Sequence, residues 1–137
     1  IMLITSIPQY IQGLTNAKID LTADDVVTLY TAPSAADFNA SIINSILVAN
    51  DNGTASTITV TLVGTGLNST ATVTDHSFVL FQVKAVAANT TIELLTQNLI
   101  LQSGEIIQVK AADDARLHVV ASVQEFTKQR ISTSAIL

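Results

Sequence analysis

Two histidines, His76 and His118, are the residues of this chain best suited to acid–base or metal chemistry near neutral pH. Neither has a metal-ligand spacing, and neither belongs to an H-E-x-x-H motif, which would place two histidines on one face of a helix. His118 alternates with apolar neighbours and is predicted to point outward from a strand, as an ordinary solvated histidine does. The histidines therefore do not indicate a catalytic or metal site.

Paired carboxylates occur at Asp24-Asp25 and Asp113-Asp114. Glycosidase chemistry needs two opposed carboxyl groups. Adjacent acids on a strand point to opposite faces, however, and adjacent acids in a turn both face water. A calcium loop at Asp51 would need alternating oxygen ligands and a terminal Glu, which the sequence lacks. We interpret these acids as turn residues.

The usual motifs of covalent and phosphoryl-transfer catalysis are missing from the sequence. No serine lies in a G-x-S-x-G elbow, and no G-x-x-x-x-G-K-[ST] phosphate loop occurs. Aromatic residues make up 4% of the chain, too few to suggest a stacking platform for sugars or single-stranded nucleic acid. The sequence therefore predicts a protein that is not an enzyme and that has no cofactor and no metal site.

Charge limits the classes of partner. The net charge is −5, with six basic and eleven acidic residues, so phosphate backbones and anionic membrane surfaces should repel the molecule. Apolar residues are interleaved with polar ones, and no run is long enough for a transmembrane helix. There is no cysteine, which excludes disulfides and thiolate metal sites. We expect neither nucleic acid nor a membrane as a partner.

Composition points to a single domain with much of its surface covered. Hydrophobic residues make up 48% of the 137 residues and charged residues only 12%, about half the usual charged share. A chain of this length is expected to form one folded body. Low charge with high hydrophobicity favours a protein that works in contact with other protein surfaces.

Alternation of apolar and polar residues predicts an all-β fold. Four segments show it clearly, namely residues 56–64, 78–88, 107–111 and 117–124, and three more are expected at 26–31, 41–50 and 90–96. Turn residues such as Asn52-Gly53 and Ser103-Gly104 separate them. We therefore predict an antiparallel β-sandwich or jelly roll of about seven to eight strands. In the segment 78–88, the side chains expected to face the core are Val79, Phe81, Val83, Ala85 and Ala87.

The two ends of the chain are predicted to be arms. Residues 1–20 and 128–137 lack a clean strand pattern but carry large apolar side chains, whereas disordered tails, the alternative, are usually charged and poor in Ile and Leu. The predicted division is an N-terminal arm at 1–20, a β-sandwich domain at 21–127 and a C-terminal arm at 128–137. The expected protein-interface residues are Ile7, Tyr10, Ile11, Leu14, Ile131, Ile136 and Leu137.

Five stretches of strand and turn sequence, taken together and in their order along the chain, resemble a known family. They are residues 28–33 (TLYTAP), 45–50 (SILVAN), 56–62 (STITVTL), 99–109 (LILQSGEIIQV) and 117–125 (LHVVASVQE). Over about residues 26–125 the chain resembles small β-sandwich virion proteins of tailed bacteriophages. In these proteins a strand ending in Tyr-Thr-x-Pro leads to a strand ending in Ala-Asn, and a Leu-x-x-Gly-(Asp/Glu) turn precedes the last two strands.

The resemblance implies a structural virion protein, with a capsid decoration or cement protein as the favoured type. Such a protein would lie on the outer surface of the head and would bind the major capsid protein and copies of itself, as a homotrimer. A neck or tail component is the alternative within this class. From another class, a surface adhesin or carbohydrate-binding β-sandwich remains open, although the scarcity of aromatic residues disfavours a sugar ligand.

Overall fold

The protein is described from a computed structural model that covers residues 11–34, 36–65, 75–112 and 117–127. These residues form nine β-strands, and no helix among them is long and apolar enough to cross a membrane. The strands are β1 (Ile11–Leu21), β2 (Val27–Thr31), β3 (Phe38–Asn50), β4 (Ser56–Thr65), β5 (Asp75–Val86), β6 (Thr90–Glu93), β7 (Leu99–Leu101), β8 (Ile106–Ala111) and β9 (Leu117–Thr127).

The strands form two antiparallel sheets that pack face to face. Sheet A has the order β1-β9-β3-β6, and β7 pairs with β3 beside β6 because each covers only part of the long β3 edge. Sheet B has the order β2-β8-β4-β5. Contacts between β1 and β2 and between β5 and β6 bring the two sheets together at their edges. The predicted all-β antiparallel sandwich is confirmed.

Alternating residues of both sheets fill the core. Ile46 and Val48 of β3 and Ile58 and Val60 of β4 are completely buried. A register shift between Ile43 and Ser45 lets β3 keep Ile43 on the same inner face as Ile46, although the two are three residues apart. The alternation of side chains along β3, shifted once by the bulge, therefore places its apolar residues in the core.

Several strand predictions are confirmed by the structure. The segments 56–64, 107–111 and 117–124 coincide closely with β4, β8 and β9, and 26–31, 41–50 and 90–96 each contain or overlap a strand. Gly104 has a φ of 77°, a left-handed conformation that favours glycine, in the predicted Ser103-Gly104 turn. The short strand β7 was not predicted as a separate element.

The prediction of which β5 side chains face the core is wrong. Val79 and Val83 are 50% and 56% exposed. Two register shifts relative to β4 give β5 two extra residues, so the predicted alternation does not hold along the strand. Phe78 and Phe81 pair with the inward-facing positions of β4, and Val86 is completely buried. A bulged strand at the edge of a sheet does not follow a simple period of two.

Residues 11–20 are a strand, whereas we expected them to belong to an arm. They form most of β1, which pairs with β9 from Ile11↔Phe126 to Leu21↔Leu117. The inward positions of β1 include Ala17 and Ile19, which are only half-buried, so the apolar signal in the sequence is weak there. Cross-strand pairing with β9 defines this strand more than its own pattern does. Residues 1–10 and 128–137 lie outside the described residues.

Candidate assembly surfaces and the His118 cluster

The outer face of sheet A carries exposed apolar side chains. Leu14 on β1 is 74% exposed, Leu47 on β3 is 41% exposed and Ile100 on β7 is 61% exposed. The registers place Leu14 and Ile100 at opposite ends of one row across the sheet, with Gln124 and Ile42 between them. A solvated sheet face normally carries polar residues, so exposed leucine and isoleucine here suggest a covered surface.

A second row across this face ends in opposite charges. Its members are cross-strand partners in the order Lys18, Val120, Leu47, Glu93. The Glu93 carboxylate accepts a hydrogen bond from the Ser45 hydroxyl at 2.7 Å, which holds it near this face. Among the described residues, Lys18 has no ion-pair partner. The row therefore presents a free ammonium group at one edge and a fixed carboxylate at the other. We call the outer face of β1, β9, β3, β6 and β7 the outer A face.

The edge strand β5 forms a separate apolar surface. Its exposed side chains are Phe78, Val79, Leu80 and Val83. Strand β5 pairs with β4 on one side, and within the described residues no strand pairs with its other edge. The two bulges around residues 80–83 interrupt the regular backbone pattern, which hinders edge-to-edge pairing at that point. The β5 edge thus exposes apolar side chains while limiting uncontrolled strand addition.

A carboxylate–histidine–carboxylate cluster lies at one end of the outer A face. His118 at the start of β9 contacts the Asp20 carboxylate through Nδ1, and its Nε2 lies 3.0 Å from the Asp51 carboxylate. Asp20 is the cross-strand partner of His118, and Asp51 directly follows β3. A neutral imidazole donates from one ring nitrogen only, so two flanking carboxylates fit the doubly protonated imidazolium. The two hydrogen bonds, first Asp51 and then Asp20, raise the pKa of His118 above its usual value.

Asn50 sets the position of Asp51. Its buried amide Nδ2 donates to the carbonyl oxygens of Thr54 at 2.9 Å and Val86 at 3.2 Å, and its Oδ1 accepts from the backbone N–H of Asn52 at 3.0 Å. These bonds close the turn between β3 and β4 and tie it to the end of β5. The buried asparagine therefore positions the loop that brings Asp51 to His118.

A polar bridge joins the two sheets at the other end of the sandwich. The Tyr30 hydroxyl, on β2 of sheet B, lies 2.6 Å from Ser41 Oγ and 2.5 Å from Glu125 Oε2. Ser41 and Glu125 are cross-strand partners in sheet A. Burial, followed by the hydrogen bond to Glu125, raises the pKa of Tyr30 to about 12. The bridge is a structural contact, because its three side chains hydrogen-bond one another and link the two sheets.

The side chains described around His118 offer ion pairs and hydrogen bonds. An open depression of about 320 Å³ beside His118 is lined by Lys18, Ile19, Asp20, Val119 and Val120, and none of the described residues that line it is a serine, threonine or cysteine. Within the described ranges, no group of three or more His, Cys, Asp or Glu side chains suits a metal ion. The histidine of the cluster is an ion-pair partner for two carboxylates, and no nucleophile in the described part of the chain is hydrogen-bonded to it.

Two of the seven expected interface residues fall within the described residues. Leu14 lies on the outer A face with most of its side chain exposed, and Ile11 begins β1 opposite Phe126. The other five, Ile7, Tyr10, Ile131, Ile136 and Leu137, lie outside the described residues.

Sequence reasoning missed the exposure of Leu47 and Ile100, and it placed Val79 and Val83 in the core. The unusually low charge of the chain was the signal that some strand faces would expose apolar side chains. It could not show which faces they were, because that depends on strand pairing.

Comparison with known proteins relates this fold to virus particles. No family model matches the chain, and no curated protein matches it. A chain of the T13 particle of infectious bursal disease virus aligns with a TM-score of 0.54 and 10% identity, over 85% of this chain and 31% of that one. A chain from the Gx strain of the same virus aligns with a TM-score of 0.53 and 11% identity, over 96% of this chain and 35% of that one. The protein thus spans about one third of each of these chains and shares their β-sandwich fold.

Proposed function

We propose that this protein is a structural component of a virus particle and works by binding other protein subunits. The observation that carries the proposal is the combination of a sandwich fold shared with chains of a virus particle and two exposed apolar surfaces. Low charge adds support, since a freely soluble domain usually carries about twice the charged share of this chain.

The specific role that we propose is capsid decoration or cementing on the outer surface of a tailed-phage head. The resemblance of residues 26–125 to small virion proteins of tailed bacteriophages supports this role. Its partners would be the major capsid protein and copies of itself, arranged as a homotrimer. A neck or tail component is the second candidate, supported by the same resemblance.

The proposed mechanism is thermodynamic. Binding across neighbouring shell subunits stabilises the assembled state by mass action, because the protein binds the shell and not its separated subunits. The β5 edge suits such a contact, since Phe78, Val79 and Leu80 are neighbours in sequence and all expose apolar area. No covalent bond is made or broken.

Attachment to purified shells tests the proposal. Shells lacking this protein are mixed with the intact chain, and co-sedimentation and the shell dissociation temperature are measured. We expect saturable binding and a higher dissociation temperature. A variant with Leu80→Asp and Val83→Asp should bind less, whereas Thr28→Asp, on the exposed outer face of sheet B, is the matched control. Purified necks and tails are tested in the same way. Failure to bind heads, necks or tails would contradict the proposal, and binding to necks or tails alone would favour the second candidate.

A further inference from the structure

We infer that the outer A face is the contact between two copies of this chain, packed face to face about a two-fold axis that runs along the strands. This inference rests on the proposed function and specifies a second contact between copies. The two-fold contact would join copies from two different homotrimers, because the contacts within a homotrimer are related by a three-fold axis. It follows from the order of side chains in one row of the sheet and from the area of the face.

The charge pattern of the row selects the axis. The row reads Lys18, Val120, Leu47, Glu93 across four neighbouring strands. A two-fold axis along the strands reverses this order in the second copy. Lys18 of each copy then opposes Glu93 of the other, and Val120 opposes Leu47. An axis across the strands that passed through this row would instead set Lys18 against Lys18 and Glu93 against Glu93, which is unfavourable.

Two other rows of the face are compatible with the same two-fold arrangement. In the row Leu14, Gln124, Ile42, Ile100, the two most exposed apolar side chains lie at the ends and would oppose each other across the axis. In the row Asp20, His118, Ala49, Thr91, the Asp20 carboxylate would oppose Thr91 and the histidine would oppose Ala49. Neither row sets two like charges against each other.

The area of the face is sufficient for a specific contact. Four strands spaced roughly 4.8 Å apart and paired over about eight residues cover roughly 500 Å² per copy, or roughly 1,000 Å² for the pair. That value meets the lower limit of about 1,000 Å² for specific protein–protein contacts. The Lys18 ammonium, which has no ion-pair partner among the described residues, and the exposed Leu14 and Ile100 side chains would gain partners on pairing.

Thiol cross-linking tests the contact, because the chain has no cysteine. Ser122, exposed on this face and next to the proposed axis, is replaced by Cys. A short bis-maleimide linker should join two chains of S122C on a denaturing gel. T28C, on the outer face of sheet B, is the matched control and should remain a single chain.

Charge exchange tests the orientation. In the S122C background, Lys18→Glu and Glu93→Lys should each weaken pairing by roughly tenfold, because each replaces two attractions with two repulsions. The double variant should recover the original yield. Glu93→Gln retains the acceptor oxygen for Ser45 and controls for loss of that hydrogen bond. Leu47→Glu leaves Glu93 and its hydrogen bond to Ser45 in place, and it should also abolish linking.

The outcomes separate this inference from the proposed function. Absence of linking in S122C, or a folded double variant that links as poorly as the single ones, overturns the face-to-face contact. The same variants are tested for attachment to shells. If Leu47→Glu fails to cross-link but still attaches to shells, the virion role is supported and the face-to-face contact is not needed for it. If two chains cross-link but the protein does not attach to any shell, the contact is supported and the virion role is contradicted.

Discussion

The Tyr30 hydroxyl donates a hydrogen bond of 2.5 Å to Glu125 Oε2 and thereby links sheet B to sheet A. Since that hydroxyl has one proton, Ser41 Oγ must donate the second bond of 2.6 Å to Tyr30. Ser41 is completely buried, so its hydroxyl depends on this partner. Three side chains thus satisfy one another at the junction of the two sheets.

Tyr30→Phe should lower the free energy of unfolding by about 1 to 3 kcal/mol, because it leaves the buried Ser41 hydroxyl and the Glu125 carboxylate without their partner. Urea denaturation monitored by circular dichroism measures the change. Tyr10→Phe is the matched control, since it removes the other tyrosine hydroxyl. A loss of stability no larger than that of the control would contradict a stabilising role for the bridge.

The pH dependence of this bridge follows from the raised pKa of Tyr30. Its folded pKa of about 12 exceeds the unfolded value of 10. The stabilising contribution is therefore complete below pH 10 and is lost as the pH rises through about 12. Absorbance titration of phenolate formation, compared between the protein and Tyr30→Phe, should show that the tyrosine missing from the variant ionises near pH 12. Ionisation of that tyrosine near pH 10 would refute this expectation.

His118 should stabilise the fold more in acid than in base. Its folded pKa is raised above the usual 6.5, so its contribution is fully present below pH 6.5 and is lost as the pH rises through the higher folded pKa. The difference in unfolding free energy between the protein and His118→Gln should shrink between pH 5.5 and pH 8.5, with His76→Gln as the control. NMR titration should show the pKa of His118 falling in Asp51→Asn. An unchanged pKa in that variant would contradict the assigned cause.

Asn50→Ala should destabilise the fold by about 2 to 4 kcal/mol, because it removes three hydrogen bonds, one of them to the Val86 carbonyl in a buried contact. Asn50→Asp keeps the acceptor for Asn52 but places a carboxylate beside two carbonyl oxygens. Its stability should therefore improve on acidification through the carboxyl pKa. Urea denaturation at pH 4 and pH 7 tests both variants, and an equal loss for Asn50→Asp at the two pH values would show that charge is not the cause.

The ends of the chain remain predicted contact arms. Deleting residues 128–137 should leave the circular dichroism of the sandwich intact and weaken attachment to shells at least tenfold, equivalent to about 1.4 kcal/mol. Deleting residues 1–10 should act similarly, through the loss of Ile7 and Tyr10. Deleting residues 1–20 should instead damage the fold, because it removes most of β1. Truncated chains that bind as tightly as the intact chain would assign attachment to the sandwich itself.

The sequence by itself predicted the fold class and most strands. In β4, β8 and β9, apolar residues alternate at every second position, and burial of that face is the main source of stability. The interpretation of His118 as an outward-facing histidine also came from this alternation. Its position between Asp20 and Asp51 could not be predicted from the sequence, because the three residues are far apart in the chain. The pairing of β1 with β9 brings Asp20 to His118, and the turn held by Asn50 brings Asp51 there.

Only the tertiary structure decided which apolar residues remain exposed. Val79 and Val83 have the same local pattern as core residues, but β5 lies at an edge and contains two bulges, so both are left at the surface. Leu47 and Ile100 lie on the outer A face because the registers of β3 and β7 put them there. A strand pattern shows that two faces differ, and the pairing of distant strands determines which face the second sheet covers.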